Sequence, residues 1–199
     1  MLQVYKRMQR MSHMKRMAVF LVVVCLIAGC KNSDVELNQV IDLRQQLLSA
    51  SKCQFETNVT ADYGDKLFTF AAQCQVQGDG QLQFAIMAPE SIQGITGKIS
   101  DSGGKLTFED TALHFPLLAE KELSPVSAPW IFIKTLRSGY LKSVGKEEQN
   151  LRVTIDDSYA EDALHLDIWL DESLCPIRAD ILHEGTKILS LTIKNFQIV

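Results

Sequence analysis

The 199-residue sequence lacks the compact signatures by which enzymes usually announce themselves. It holds no G-x-S-x-G elbow, no H-E-x-x-H pair and no phosphate-binding glycine loop, the arrangements that present a nucleophile, a zinc ion or a nucleotide. Histidine occurs four times, and His114, His165 and His183 each stand in a strand-like context with no second ligand at metal spacing. No C-x-x-C is present, so neither a zinc knuckle nor a thioredoxin-type centre is indicated. The oxygen-rich run from Asp156 to Asp162 lacks the glycine and spacing of an EF-hand and reads as a solvated acidic turn. Basic charge is not in surplus either, with a formal net charge of −4, so nucleic acid is not an expected partner. No metal, cofactor or catalytic residue is expected, and the chain reads as a non-enzyme.

What the sequence does have is concentrated first in Met14 to Cys30, MKRMAVFLVVVCLIAGC. Basic residues precede an apolar run from Met17 to Ala28, which has the length of a signal-peptide core and falls short of the ~20 residues that span a bilayer. The run closes in Ile27-Ala28-Gly29-Cys30, which resembles the bacterial lipobox. That resemblance implies a signal peptide over residues 1–29, cleavage before Cys30 and a diacylglycerol on its thiol. Two acyl chains hold a protein durably where one does not, so the expected location is the cell membrane, lipid-anchored and facing outside the cytoplasm. Five basic residues and no acidic ones leave with the leader, so residues 30–199 carry 15 Lys and Arg against 24 Asp and Glu, a balance of −9. Such a domain is not held on an anionic membrane by charge. Cys25 leaves with the signal and Cys30 is the lipid site, leaving Cys53, Cys74 and Cys175.

Behind Cys30, Ser33 and Glu36 fit a capping box opening a helix, with Leu37, Val40, Ile41, Leu47 and Leu48 as its apolar stripe to about Ala50. Cys53 to Asp62 and Asp65 to Val76 then alternate with period two, and Tyr63-Gly64 suits a two-residue hairpin turn. In that register Val59 faces Phe68, Thr57 faces Phe70, Phe55 faces Ala72, and Cys53 faces Cys74. Opposed non-hydrogen-bonded pairs approach to ~4.5 Å between Cα atoms, so a Cys53–Cys74 disulfide is expected, with two buried reduced thiols as the alternative. A third strand carries Leu82, Phe84 and Ile86 on one face; a fourth, Gln93 to Ser100, is bent by Gly94 and Gly97; a fifth runs from Lys105 to Asp110. An apolar patch, Phe115-Pro116-Leu117-Leu118, precedes a second helix that opens at Ser127 and Pro129 and ends at Gly139. Trp130, Ile131, Phe132, Ile133, Leu136 and Tyr140 spread around much of it. Gly145 to Asn150 reads as a linker, and four strands follow: Leu151 to Asp156, Ala163 to Asp171, Ile177 to His183 and Lys187 to Val199, the last with a bulge. Cys175, before Pro176 and without a neighbouring histidine, reads as a buried turn residue.

This order of elements, together with the stretch Phe84-Ala85-Ile86-Met87-Ala88-Pro89 through Gly94-Ile95, is similar to the lipoprotein localisation factor superfamily of LolA-like and LolB-like carriers. The resemblance covers most of Ser33 to Val199. It implies an α+β fold, mainly antiparallel β: a curled, unclosed half-barrel of about nine strands, with an N-terminal helix and a mid-chain helix over the concave side. It also implies a carrier, chaperone or sensor that takes lipid or acyl chains into an apolar hollow, for which Phe84, Ile86, Phe132, Ile133 and Leu136 are the candidate lining. The alternative is an extracytoplasmic protein-interaction module with a filled core and no small ligand.

Overall fold

The structure, a computed structural model, describes residues 32–109, 111–115, 118–119 and 122–199. The leader and Cys30 lie outside the described residues, as do Pro116 and Leu117 of the apolar patch. The chain divides into two units, Met1–Leu37 and Asn38–Val199, and the sheet with its core belongs to the second. Helix α1 (Asn32–Ser49) starts one residue before the expected cap, so Ser33 lies inside it, and that side chain is outside the described set. From Asn38 onward it buries Val40, Leu43 and Leu47, whereas Ile41 and Leu48 remain exposed. The buried stripe is therefore narrower than the sequence suggested and includes Leu43.

Eleven strands make one sheet in which every neighbouring pair is antiparallel. They are β1 (Lys52–Asp62), β2 (Leu67–Gln77), β3 (Leu82–Ala88), β4 (Thr96–Ser100), β5 (Gly103–Phe108), β6 (Thr111–Phe115), β9 (Tyr140–Glu147), β10 (Asn150–Asp156), β11 (His165–Leu170), β12 (Pro176–His183) and β13 (Thr186–Ile198). A separate ribbon pairs β7 (Leu118–Ala119) with β8 (Glu122–Leu123). The sheet runs β6-β5-β4-β3-β2-β1-β13-β12-β11-β10-β9, so it is an unclosed half-barrel whose two free edges are β6 and β9. The expected half-barrel is present, with two more strands than expected. Both additions are those edges.

The topology explains the second helix. After β6 the chain has reached one edge, and its next sheet strand, β9, lies at the other. Helix α2 (Ala128–Ser138) bridges that distance across the apolar face, touching β1, β10, β12 and β13 on the way. It ends at Gly139 as expected, but for a different reason than a left-handed cap. Gly139 is extended at φ −68°, and a Cβ there would lie 2.6 Å from Ile155 Cγ2 and 2.7 Å from the Asp156 carbonyl oxygen. Absence of a side chain is what lets the helix end close onto β10. Arg44 of α1 then donates to the Gly139 carbonyl at 2.6 Å, supplying a partner to the carbonyl-rich helix end.

The β1–β2 hairpin corrects the expected register. Tyr63 donates its backbone N–H to the Lys66 carbonyl, and Gly64 sits at φ +86°, so the turn takes four residues instead of two. Pairing shifts by two: Val59 faces Phe70, Thr57 faces Ala72, Phe55 faces Cys74 and Cys53 faces Val76. A shift of two preserves which face each side chain occupies, so Cys53, Phe55, Val59, Phe70, Ala72 and Cys74 are all buried in one core. The expected bulge in β13 is present, marked by Asn195 at φ +52° opposite the register shift between Gln54 and Glu56.

Candidate functional site

The apolar face of the sheet is the place where a ligand hollow would have to be, and α2 occupies it. Trp130, Ile131, Phe132, Ile133, Thr135, Leu136 and Arg137 are all buried, so most of the circumference of this helix faces protein. Phe132, with no exposed surface, meets Phe55 edge-on with centroids 5.6 Å apart, and Phe55 stacks on Phe196 at 5.9 Å. Phe84 lies over Gly97, where a Cβ would come within 2.3 Å of its ring. The five candidate lining residues, Phe84, Ile86, Phe132, Ile133 and Leu136, are thus brought together, each no more than 5 % exposed. They pack as one continuous core with α1 and both halves of the sheet.

Cover by α2 ends before the sheet does. Beyond Ile99 the same face continues through Leu106 and Phe115, which are half-buried, to Phe108 and Leu113, which are 49 % and 62 % exposed. Phe68, 46 % exposed, belongs to the same apolar face on β2 and packs against Tyr63. The Tyr63 hydroxyl donates to the Leu123 carbonyl, pinning the start of the segment that leads into α2. Phe68 and Phe115 were named from the sequence, but not as part of an exposed rim, and Leu113 was not singled out at all. Its signal was weak because β6 is short and exposed on both faces.

The thiols stand differently from expectation. Cys53 and Cys74 are buried and unbridged, and the four-residue turn makes them diagonal neighbours instead of opposed partners. Burial pushes the Cys53 thiol up to about 12, moderated by Arg137, and pushes Cys74 higher still with Cys53 beside it. Cys175 is only half-buried instead of buried, and is held in its turn by Asp171, whose carboxylate accepts from the Cys175 N–H at 2.9 Å.

On the opposite face, β10 to β12 carry a charge ladder. Asp167 accepts from Arg152 at 3.1 and 2.7 Å and from the Thr154 hydroxyl at 2.7 Å, while Arg178 donates to Asp180 at 2.6 Å. Trp169 lies between the two guanidinium groups, 5.5 and 4.5 Å from its ring. Burial raises the Asp167 carboxyl, but hydrogen bonds from Arg152 and Thr154 outweigh it and hold the group below the ordinary carboxylate range. In the acidic turn, Asp156 accepts from His165 and Lys142, and Asp157 accepts from the Leu164 N–H. Among the described residues, no three His, Cys, Asp or Glu side chains gather as a metal site, and no helix is long and apolar enough to cross a membrane.

No family model matches this sequence, and no curated protein matches it significantly. Solved structures do. A LolA superfamily protein of Nitrosomonas europaea aligns with 80 % of this chain and 93 % of its own, at 7 % identity and a TM-score of 0.47. The Mycobacterium tuberculosis lipoprotein LppX aligns with 81 % of this chain and 93 % of its own, at 15 % identity and a TM-score of 0.40. A chain in the complex of the CwlD amidase with the GerS lipoprotein of Clostridioides difficile covers 82 % of this chain and 96 % of its own, at 11 % identity and a TM-score of 0.44. The likeness is one of fold. At such identities no residue role or ligand is carried across, and function has to be argued from this chain's own geometry.

Proposed function

We propose that the chain is a non-enzymatic lipoprotein, cleaved before Cys30 and tethered outside the cytoplasm by that residue, whose half-barrel serves as an interaction module with a filled core. The observation that carries this reading is the burial of α2: Phe132 and Leu136 have no exposed surface and Ile133 has 1 %. A binding pocket for an acyl ligand needs roughly 300 Å³ or more of enclosed apolar space. Hollows of about 490, 330 and 570 Å³ lie instead at the outer face and its flank, where polar side chains such as Gln75, Lys98, Glu56 and Asn58 stand beside a few apolar ones such as Phe84, Met87 and Phe115. Native mass spectrometry of the protein extracted from a membrane is the test. The expected mass is that of the acylated polypeptide alone, and a co-purifying second lipid would overturn the filled core. The anchor is tested separately, because Cys30→Ala should leave an unprocessed, unacylated precursor.

One observation favours the second reading, an acyl-chain carrier with α2 as its lid. Phe68, Phe108 and Leu113 expose large apolar surface on the face that α2 covers elsewhere. Were α2 to lift, Phe84, Ile86, Phe132, Ile133 and Leu136 would line the hollow beneath it. That reading requires a fluorescent fatty-acyl probe to bind the folded protein and to change the emission of Trp130, which is 4 % exposed in this structure.

A further inference from the structure

On the face turned away from α2, one row of side chains runs across seven strands. Register partners link Gln197 to Gln54, Gln54 to Gln75, Gln75 to Gln83, Gln83 to Lys98, Lys98 to Lys105 and Lys105 to His114. With strands ~4.8 Å apart, the row is about 29 Å long. Gln54 and Gln197 satisfy each other at 2.7 Å. Among the described residues, the side chains of Gln75, Gln83, Lys98 and Lys105 have no hydrogen-bond or ion-pair partner. The lysine pair is the anomaly. Like charges set directly across a ladder repel, and this pair has no carboxylate to offset it in a domain where acidic residues outnumber basic ones. Asp101, in the turn that joins β4 to β5, is engaged by Lys134 at 2.5 Å instead.

Two hollows meet at that pair. One, of about 490 Å³, is lined by both lysines with Gln75, Gln83, Thr96 and Thr107. The other, of about 570 Å³, shares the two lysines and adds Gln81, Ser102 and His114. We propose that this row binds an anionic glycan, a sugar chain bearing carboxylate or phosphate groups. Glutamine amides both donate and accept, as sugar hydroxyls require, and the opposed ammonium groups would hold the anionic substituent. Small residues in the floor, Ala85 and Thr96 among them, let an extended chain lie close to the sheet. Phe84 and Phe115 also border these hollows, but both belong to the core side of the sheet, and the row itself carries no Phe, Tyr or Trp to anchor a buried peptide or acyl chain.

The test titrates the processed, acylated protein in detergent micelles with oligogalacturonate, a uronate glycan, by isothermal calorimetry. Binding should weaken with salt, and Lys98→Gln/Lys105→Gln should loosen it about tenfold or more, a loss of at least one factor of ten in Kd. Gln75→Ala/Gln83→Ala should also loosen binding while keeping its salt dependence, and Lys98→Arg/Lys105→Arg should retain it. All these positions are on the sheet surface, and unchanged thermal melts by circular dichroism establish that each variant is folded. Inorganic phosphate binding as tightly as the oligomer would reduce the row to a bare anion site and overturn the proposal. So would lysine-dependent binding to phosphatidylglycerol vesicles in place of the glycan, wild-type protein that binds no oligogalacturonate, or binding indifferent to the lysine substitutions.

Discussion

Cys53 and Cys74 are held protonated by the core around them, and their chemistry follows from that. Each prefers its neutral form when folded, so its contribution to stability is complete below the unfolded thiol pKa, roughly 8.5. It is lost as pH rises from there toward about 12 for Cys53, with Cys74 persisting further. Native alkylation at neutral pH should therefore leave both unmodified, and unfolding without reductant should expose both to the reagent. Recovery of a linked Cys53–Cys74 peptide would show instead that the strands approach more closely than their diagonal register implies. Asp167 has the opposite sign. Its carboxyl is held below the unfolded value of roughly 3.9, so the stability it contributes is present above that pH and is lost as pH falls through the lower folded value. Asp167→Asn should cost about 1–3 kcal/mol near neutral pH, the usual worth of hydrogen bonds to a charged group. Urea midpoints measured from pH 3 to 7 should also fall less steeply in acid for the variant than for the parent.

Neighbouring positions on α1 show how far an element's own pattern determines its energetics. Leu47 is 2 % exposed and Leu48 is 55 % exposed, though both were equally apolar candidates for the buried stripe. Leu47→Ala should lose about 2–5 kcal/mol through transfer and cavity terms, whereas Leu48→Ala should stay within about 0.5 kcal/mol, as read from denaturant melts. Sequence periodicity alone could not separate them, because Leu37, Val40, Ile41, Leu47 and Leu48 fit one broad helical stripe. The sheet was more legible where one face is buried. Strands β1, β2, β3 and β10 alternate because water lies on one side only, and a shifted hairpin register left every inward position inward. The two edge strands were missed for the converse reason. Residues of β6 and β9 are largely exposed on both faces, so no period-two signal develops in Thr111–Phe115 or Tyr140–Glu147. The candidate lining was named from the family resemblance, on the apolar faces of a strand and a helix, but such faces look the same for residues that line a hollow and residues that fill a core. Only packing separates the two cases. The outer-face row was invisible for a related reason: its members come from seven strands separated by stretches of unequal length, and only the register aligns them.

Across the whole domain, the first and last strands of the sheet meet at its centre. β1 pairs with β13, and this is the one seam in the sheet that joins strands far apart in sequence. Each flanking half is a meander closed by local hairpins, so β13 is the strand through which the two halves share a core. Its inward residues Leu189, Leu191 and Ile193 are 0, 1 and 3 % exposed, and α2 rests on the same strand. A contact of such long sequence separation forms late and at the cost of closing most of the chain into a loop. Removing residues 186–199 should therefore do more than trim a terminus. It leaves β1 and β12 with unpaired edges in the middle of the sheet and strips α2 of part of its floor. The expected outcome is a truncated chain with no cooperative thermal transition by near-UV circular dichroism and rapid cleavage by trypsin throughout. If the truncated chain instead melts cooperatively with β1 to β6 protected from hydrogen exchange, that half-sheet is an independent folding unit and the central seam is dispensable to it.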